Sequence, residues 1–157
     1  MRDIDFMRQA LALAREAALG GEIPVGAVVV QDGKVVGRGR NRRETEQNAL
    51  CHAEILAIDD ACKRLGWRLS NCTLYVTLEP CPMCAGAIIN ARIKRVVFGA
   101  ADKKSGCFGS LCDLSRLPFD SRPDLFYGVL EEECRKILEE FFAERRKGNE
   151  SQEGNLA

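Results

Sequence analysis

The 157-residue sequence predicts an α/β fold, a three-layer α/β/α sandwich with a central mixed five-stranded sheet. Three observations carry this. Segments of helical and of strand period alternate along most of the chain. Asp32-Gly33 joins two of the strands as a hairpin turn. No linker, repeat or composition break divides the sequence, so residues 1–147 read as a single domain.

Residues 4 to 19 place Ile4, Met7, Leu11, Ala14 and Ala18 at helical spacing, and Gly20-Gly21 stops that helix. Val25 to Val30 is an apolar, β-branched run, and Lys34 to Gly39 pairs with it across the turn. Asn41 to Leu50 is polar with neither period and reads as a loop. A helix starts near His52 and carries Ile55, Leu56, Ile58, Ala61 and Leu65 to Gly66. Thr73 to Leu78 is a third strand, and Pro82 suits the first turn of the next helix, with Ala85, Ala87, Ile88 and Ile89. Arg95 to Gly99 and Leu125 to Leu130 complete the sheet, separated by an irregular Gly/Ser-bearing stretch from Ala100 to Ser121. Glu131 to Arg146 is a helix with Cys134, Ile137, Leu138 and Phe141 on one face, and residues 148–157 read as a disordered tail.

Composition narrows the function classes. Apolar residues make up 46% and charged residues 29%, as in a soluble globular protein. No apolar run approaches the roughly 18 residues of a membrane span. The first residues lack the basic-then-apolar layout of a signal peptide. The expectation is a cytoplasmic protein with no membrane partner, whose eight cysteines are reduced. Lys and Arg total 23 against 23 Asp and Glu, so the simplest footprint of a nucleic-acid binder, a basic excess, is missing, although a local patch is compatible with that balance.

The chemistry gathers at His52-Ala53-Glu54 and Pro80-Cys81-Pro82-Met83-Cys84. His52, Cys81 and Cys84 supply one imidazole and two thiolates, three zinc ligands that leave one position open for water. Glu54, two residues past the histidine, is placed to move that water's proton; zinc lowers the water's pKa to roughly 7. Cys81 and Cys84 alone fit a structural zinc ribbon or a redox pair as well as a catalytic site. The chain's only histidine, with a carboxylate two places on, turns the reading toward catalytic zinc. Cys51 reads as a small residue lining the site, Cys62, Cys72 and Cys134 as core residues, and Cys107 and Cys112 as exposed loop thiols. Both helix starts lend positive potential to the ligands, which favours thiolates.

His-Ala-Glu followed by Pro-Cys-x-x-Cys resembles the signature of the zinc-dependent cytidine and deoxycytidylate deaminase superfamily. Ile23-Pro24-Val25-Gly26-Ala27-Val28, Asn41-Arg42, Thr73 to Cys81, Cys84-Ala85-Gly86-Ala87, Arg95 to Ala100, the Asp102 to Ser110 loop and Phe141-Phe142…Arg145-Arg146 extend the resemblance to its bacterial tRNA-specific adenosine deaminases. It covers residues 4 to 147. Two segments depart from the family pattern: Gln47 to Cys51 stands where an Asp-Pro-Thr-Ala segment is typical, and Cys107-Phe108 where smaller residues are common.

That resemblance implies a cytidine deaminase-like fold and a homodimer with one Zn2+ per subunit. The implied reaction is hydrolytic deamination of the wobble adenosine, position 34, in a tRNA anticodon stem-loop to inosine. It further implies Glu54 as the catalytic proton carrier and Asn41 as a hydrogen-bond partner of the flipped nucleotide. Val25, Ala53 and Leu78 become base-pocket walls, Asp102 a contact near the ribose 2′-hydroxyl, and Phe142, Arg145 and Arg146 contacts to the anticodon loop. Without it, Asn41 caps a turn, Asp102 is a solvated carboxylate, Phe141 and Phe142 are packing residues and Arg145-Arg146 ends a helix. Two rivals stay open: a deaminase of a free base or nucleoside, such as guanine or cytosine, and a non-catalytic, zinc-supported binding module.

Overall fold

The structure, a computed structural model, describes residues 1–156, with side chains as far as Glu150. Five strands, β1 (Gly26–Gln31), β2 (Lys34–Arg40), β3 (Thr73–Leu78), β4 (Arg95–Ala100) and β5 (Asp124–Tyr127), form one sheet in the order β2-β1-β3-β4-β5. β1 is antiparallel to β2 and β3, while β3, β4 and β5 run parallel, so the sheet is mixed as expected. The Asp32-Gly33 turn has φ of 50° and 75°, the left-handed pair that a tight hairpin requires.

Alternation along the strands divides the core. Ala27, Val29, Leu74, Val76 and Val96 face α3 (Ala53–Leu65) and α4 (Pro82–Asn90). Val28, Val30, Tyr75 and Val97 face α1 (Asp3–Leu19) and α5 (Glu131–Leu156). Met7 of α1 is fully enclosed and Leu11 is buried, each worth about 1.5–3 kcal/mol on burial. The hydroxyl of Tyr75 donates to Asp3 at 2.6 Å, and Arg95 donates to the same carboxylate, which ties the start of α1 to the starts of β3 and β4.

Three segments differ from expectation. The polar stretch after Asn41 contains a one-turn helix, α2 (Arg43–Glu46). The last strand stops at Tyr127, because Gly128 and Leu130 turn the chain with φ of 88° and 53°. Residues 148–156, expected to be a disordered tail, continue α5; Gly148 costs a helix only about 1 kcal/mol and does not by itself end one. Ala157 lies outside the described residues. Among the described residues, no helix is long and apolar enough to cross a membrane.

The position of α3 is set by two glycines. A Cβ at Gly39 would collide with the Ala53 carbonyl oxygen, and one at Gly37 with that of Ala57, so β2 lies almost against the helix backbone. Gly39→Ala therefore lowers stability by about 1–3 kcal/mol, measured by urea unfolding. An unchanged midpoint and slope would contradict this packing.

Candidate active site

One end of the sheet collects every buried chemical group of interest. β1 begins there, and β2, β3 and β4 end there; Asn41 N donates to Val25 O at 3.0 Å and Gly26 N to the Thr77 hydroxyl at 3.2 Å, fixing the first and last residues of neighbouring strands. The N-termini of α3 and α4 point at the same spot, with His52 and Cys81 as their N-cap residues. Four unpaired amides at each helix start, and the aligned peptide dipoles behind them, make the spot electropositive.

His52 Nδ1 lies 3.6 Å from the Sγ of Cys81 and 3.6 Å from that of Cys84. All three donor atoms fall within 4.8 Å of one another. A tetrahedral zinc with nitrogen at about 2.0–2.1 Å and sulfur at about 2.3 Å would set those atoms about 3.6 Å apart, so the three residues fit the ion. Hydrogen bonding from Cys84 and then from His52 pulls the Cys81 thiol down to about 4, while the bond to Cys81 and burial push Cys84 up. The Cys81 contact raises His52 above its ordinary value. A metal entering this site would displace the protons held by Cys84 and His52. Cys51 is buried but outside the cluster, as expected of a residue beside the site.

Glu54, only 4% exposed, occupies the first turn of α3. Burial raises its carboxyl to about 7, partly offset by its own backbone amide and by the charge of His52, so it exchanges a proton near neutral pH. His52, Ala53, Glu54 and Cys81 line one cavity with Val25, Asn41, Leu78 and Asp102. Eight of the residues singled out by sequence therefore share a pocket, and Cys84 sits buried behind it. The Asn41 side chain donates from Nδ2 to Ile23 O at 3.2 Å and accepts from Arg43 N at 3.2 Å, the turn-capping role, but one N–H and one lone pair are left over. Asp102 uses Oδ1 to accept from the amides of Lys104 and Ser105, leaving Oδ2 without a protein partner among the described residues.

Phe142, Arg145 and Arg146 do not line this cavity. They lie on α5, with Phe142 40% exposed, Arg145 stacked 5.0 Å from the Phe141 ring and reaching Gly21 O at 3.5 Å. Ile23, Arg43, Glu79 and Ser105 line the pocket without having been singled out by sequence. Cys107, expected to be an exposed thiol, is 2% exposed and its burial pushes it up to about 11; Cys112 is exposed as expected. The loop carrying Cys107 folds back on the ligand segment, with Cys107 N donating to Pro80 O at 2.9 Å.

A MafB19-like deaminase family model matches residues 1–146. The chain belongs to this deaminase family. It is 50% identical over 154 residues to the tRNA-specific adenosine deaminase of Bacillus subtilis (strain 168), covering 97% of this chain and 96% of the relative. A solved tRNA:A34 deaminase, studied for A-to-I editing at the wobble position of transfer RNA, superposes with TM-score 0.81 at 45% identity, covering 85% of this chain and 99% of that one. The guanine deaminase from Bacillus subtilis superposes at 0.63 with 37% identity, over 93% and 95% of the two chains. The deaminase family accounts for the α/β/α layers and for the pairing of a His-x-Glu helix start with a Cys-x-x-Cys helix start.

Glu22 shapes the deaminase pocket from outside it. The side chain, 2% exposed, accepts from Glu44 N at 3.1 Å, from Thr45 N at 2.7 Å and from the Thr45 hydroxyl at 2.7 Å, which caps α2 beside Arg43. Burial alone would raise its pKa, but these three donors outweigh it and hold the carboxyl below its ordinary value of 4.5. Because folding lowers the pKa, Glu22 adds stability that is complete above pH 4.5 and fades as pH falls through the lower folded value. Glu22→Gln costs about 2 kcal/mol at neutral pH, and its deficit against the parent narrows as the pH is taken below 4.5 in urea titrations. A deficit that stays constant down to about pH 2 would contradict the carboxylate's role.

Proposed function

We propose that this protein deaminates the wobble adenosine, position 34, of a tRNA anticodon to inosine by hydrolysis. The single observation that carries the reading is the convergence of His52, Cys81, Cys84 and buried Glu54 on one cavity walled by Val25, Ala53 and Leu78. The substrate assignment draws on the 50% identity, along nearly the full length of both chains, to a tRNA-specific adenosine deaminase.

His52, Cys81 and Cys84 would hold one Zn2+ per subunit. Zinc bound there supplies Lewis-acid activation of water at neutral pH. Glu54 takes a proton from the attacking water and gives it to adenine N1 as C6 becomes tetrahedral, then takes the proton of the new C6 hydroxyl and passes it to the departing amine. The products are C6=O and ammonia, so adenosine plus water balances inosine plus NH3. Its carboxyl, at about 7, is matched to both giving and taking that proton. Val25, Ala53 and Leu78 grip the extruded base, and Asn41 offers its remaining N–H and lone pair to it. Asp102 Oδ2 accepts from the ribose 2′-hydroxyl, one means of preferring RNA. Phe142, Arg145 and Arg146 on α5 meet the anticodon loop beyond the pocket by stacking and phosphate contact. The working form is a homodimer in the cytoplasm.

The guanine deaminase likeness and the chain's zero net charge favour a second reading, deamination of a free base. Inosine formation on an anticodon stem-loop, compared with ammonia release from guanine, cytosine and free nucleosides, separates the two. The proposal expects turnover of the stem-loop; turnover of a free base alone would overturn it. Glu54→Gln should retain zinc and lose about a thousandfold in kcat, whereas Cys84→Ala should lose the metal and unfold at lower temperature. Unchanged turnover in Glu54→Gln would overturn its role as proton carrier, and a zinc-loaded parent that turns over none of these substrates would leave only the zinc-supported binding module.

A further inference from the structure

Glu79 is a buried carboxylate that the reaction does not use. It is 2% exposed and has no salt-bridge partner among the described residues. An unpaired buried carboxylate is costly unless several donors reach it, and here four do. Oε1 accepts from Asp102 N at 3.1 Å and from the Ser110 hydroxyl; Oε2 accepts from Phe108 N at 3.1 Å and from Ser110 N at 3.1 Å. A Cβ at Gly106 would collide with this carboxylate, so the loop wraps it on that side too.

A carboxylate has about four acceptor sites, and all four are taken. Glu79 therefore has no lone pair left for substrate or for proton transfer, although it borders the cavity. Its donors belong to the 102–110 loop, whose regular structure is limited to one isolated bridge, Phe108 to Asp113. Asp102 and Ser105, on that loop, form one wall of the pocket. The segment Glu79-Pro80-Cys81 presents the Pro80 carbonyl to Cys107 N and the Cys81 thiolate to the metal cluster. The substrate wall is thus hydrogen-bonded to the stretch of backbone that carries a metal ligand.

We infer that Glu79 is a positioning residue: it holds the Asp102–Ser105 wall in place and so sets affinity for the sugar side of the substrate without entering the chemistry. This rests on the proposed function, which gives Asp102 its ribose contact. In Glu79→Gln the amide group turns an N–H toward backbone N–H donors, which releases the loop and leaves Cys81 in place.

The test uses the zinc-loaded full chain and its Glu79→Gln and Ser110→Ala variants. Glu79→Gln is expected to raise KM for the anticodon stem-loop about tenfold with kcat within about threefold, and Ser110→Ala to raise KM about threefold. Replacing the wobble adenosine by 2′-deoxyadenosine should cost the parent more than it costs Glu79→Gln, because the variant's Asp102 is already displaced. Hydrogen exchange should be about tenfold faster across residues 101–112 in Glu79→Gln and unchanged in α1 and β1, with zinc content unaltered. Unchanged exchange at 101–112, or a fall in kcat with KM unmoved, would overturn the inference. If Glu79→Gln does not fold, Ser110→Ala decides by the same exchange and KM readouts. A parent inactive on the stem-loop sinks the proposed function alone, and exchange at 101–112 then decides the role of Glu79.

Discussion

Two helix starts aimed at one point are the constraint on which the rest of this structure depends. His52 caps α3 and Cys81 caps α4, and their donor atoms come within 3.6 Å only because both helices lie on the same face of the sheet. That closeness has steric causes far from the chemistry: Gly37 and Gly39 let β2 approach the α3 backbone, and the parallel register of β3 with β4 leads straight into the Pro80-Cys81 turn. The electropositive helix ends then favour the Cys81 thiolate beside Cys84 and His52.

Around that point, carboxylates divide the labour by environment. Burial raises Glu54 to about 7 against the lowering by its own backbone amide and by His52, which suits the proton-carrying role proposed for it. Glu22 is equally enclosed, yet three donors hold its carboxyl low and turn it into a cap for α2. Glu79 is saturated by the 102–110 loop. The number of hydrogen bonds each accepts separates a reactive acid from a structural one.

Most of the frame was legible in the sequence, because it rests on local rules. The α1 periodicity, the Asp32-Gly33 turn, the apolar strands and Pro82 at a helix start each act within a few residues. The cluster of His52, Cys81 and Cys84 was legible because few side chains can bind zinc. Glu22 and Glu79 were not, since their partners are mainly backbone amides, and any residue type can donate an N–H from 22 or 31 positions away. Cys107 misled because loop composition says nothing of whether the loop folds back on the core. The end of β5 was equally hidden: a leucine at φ 53° is imposed by packing rather than preference.

The account stands or falls on His52, Cys81 and Cys84 holding one zinc. X-ray absorption at the zinc edge, on purified full-length protein of measured activity, tests this most directly. The account predicts about one zinc per chain, with two sulfurs near 2.3 Å and two lighter neighbours near 2.0–2.1 Å. Three or four sulfur neighbours, or full turnover in protein carrying no zinc, would contradict it.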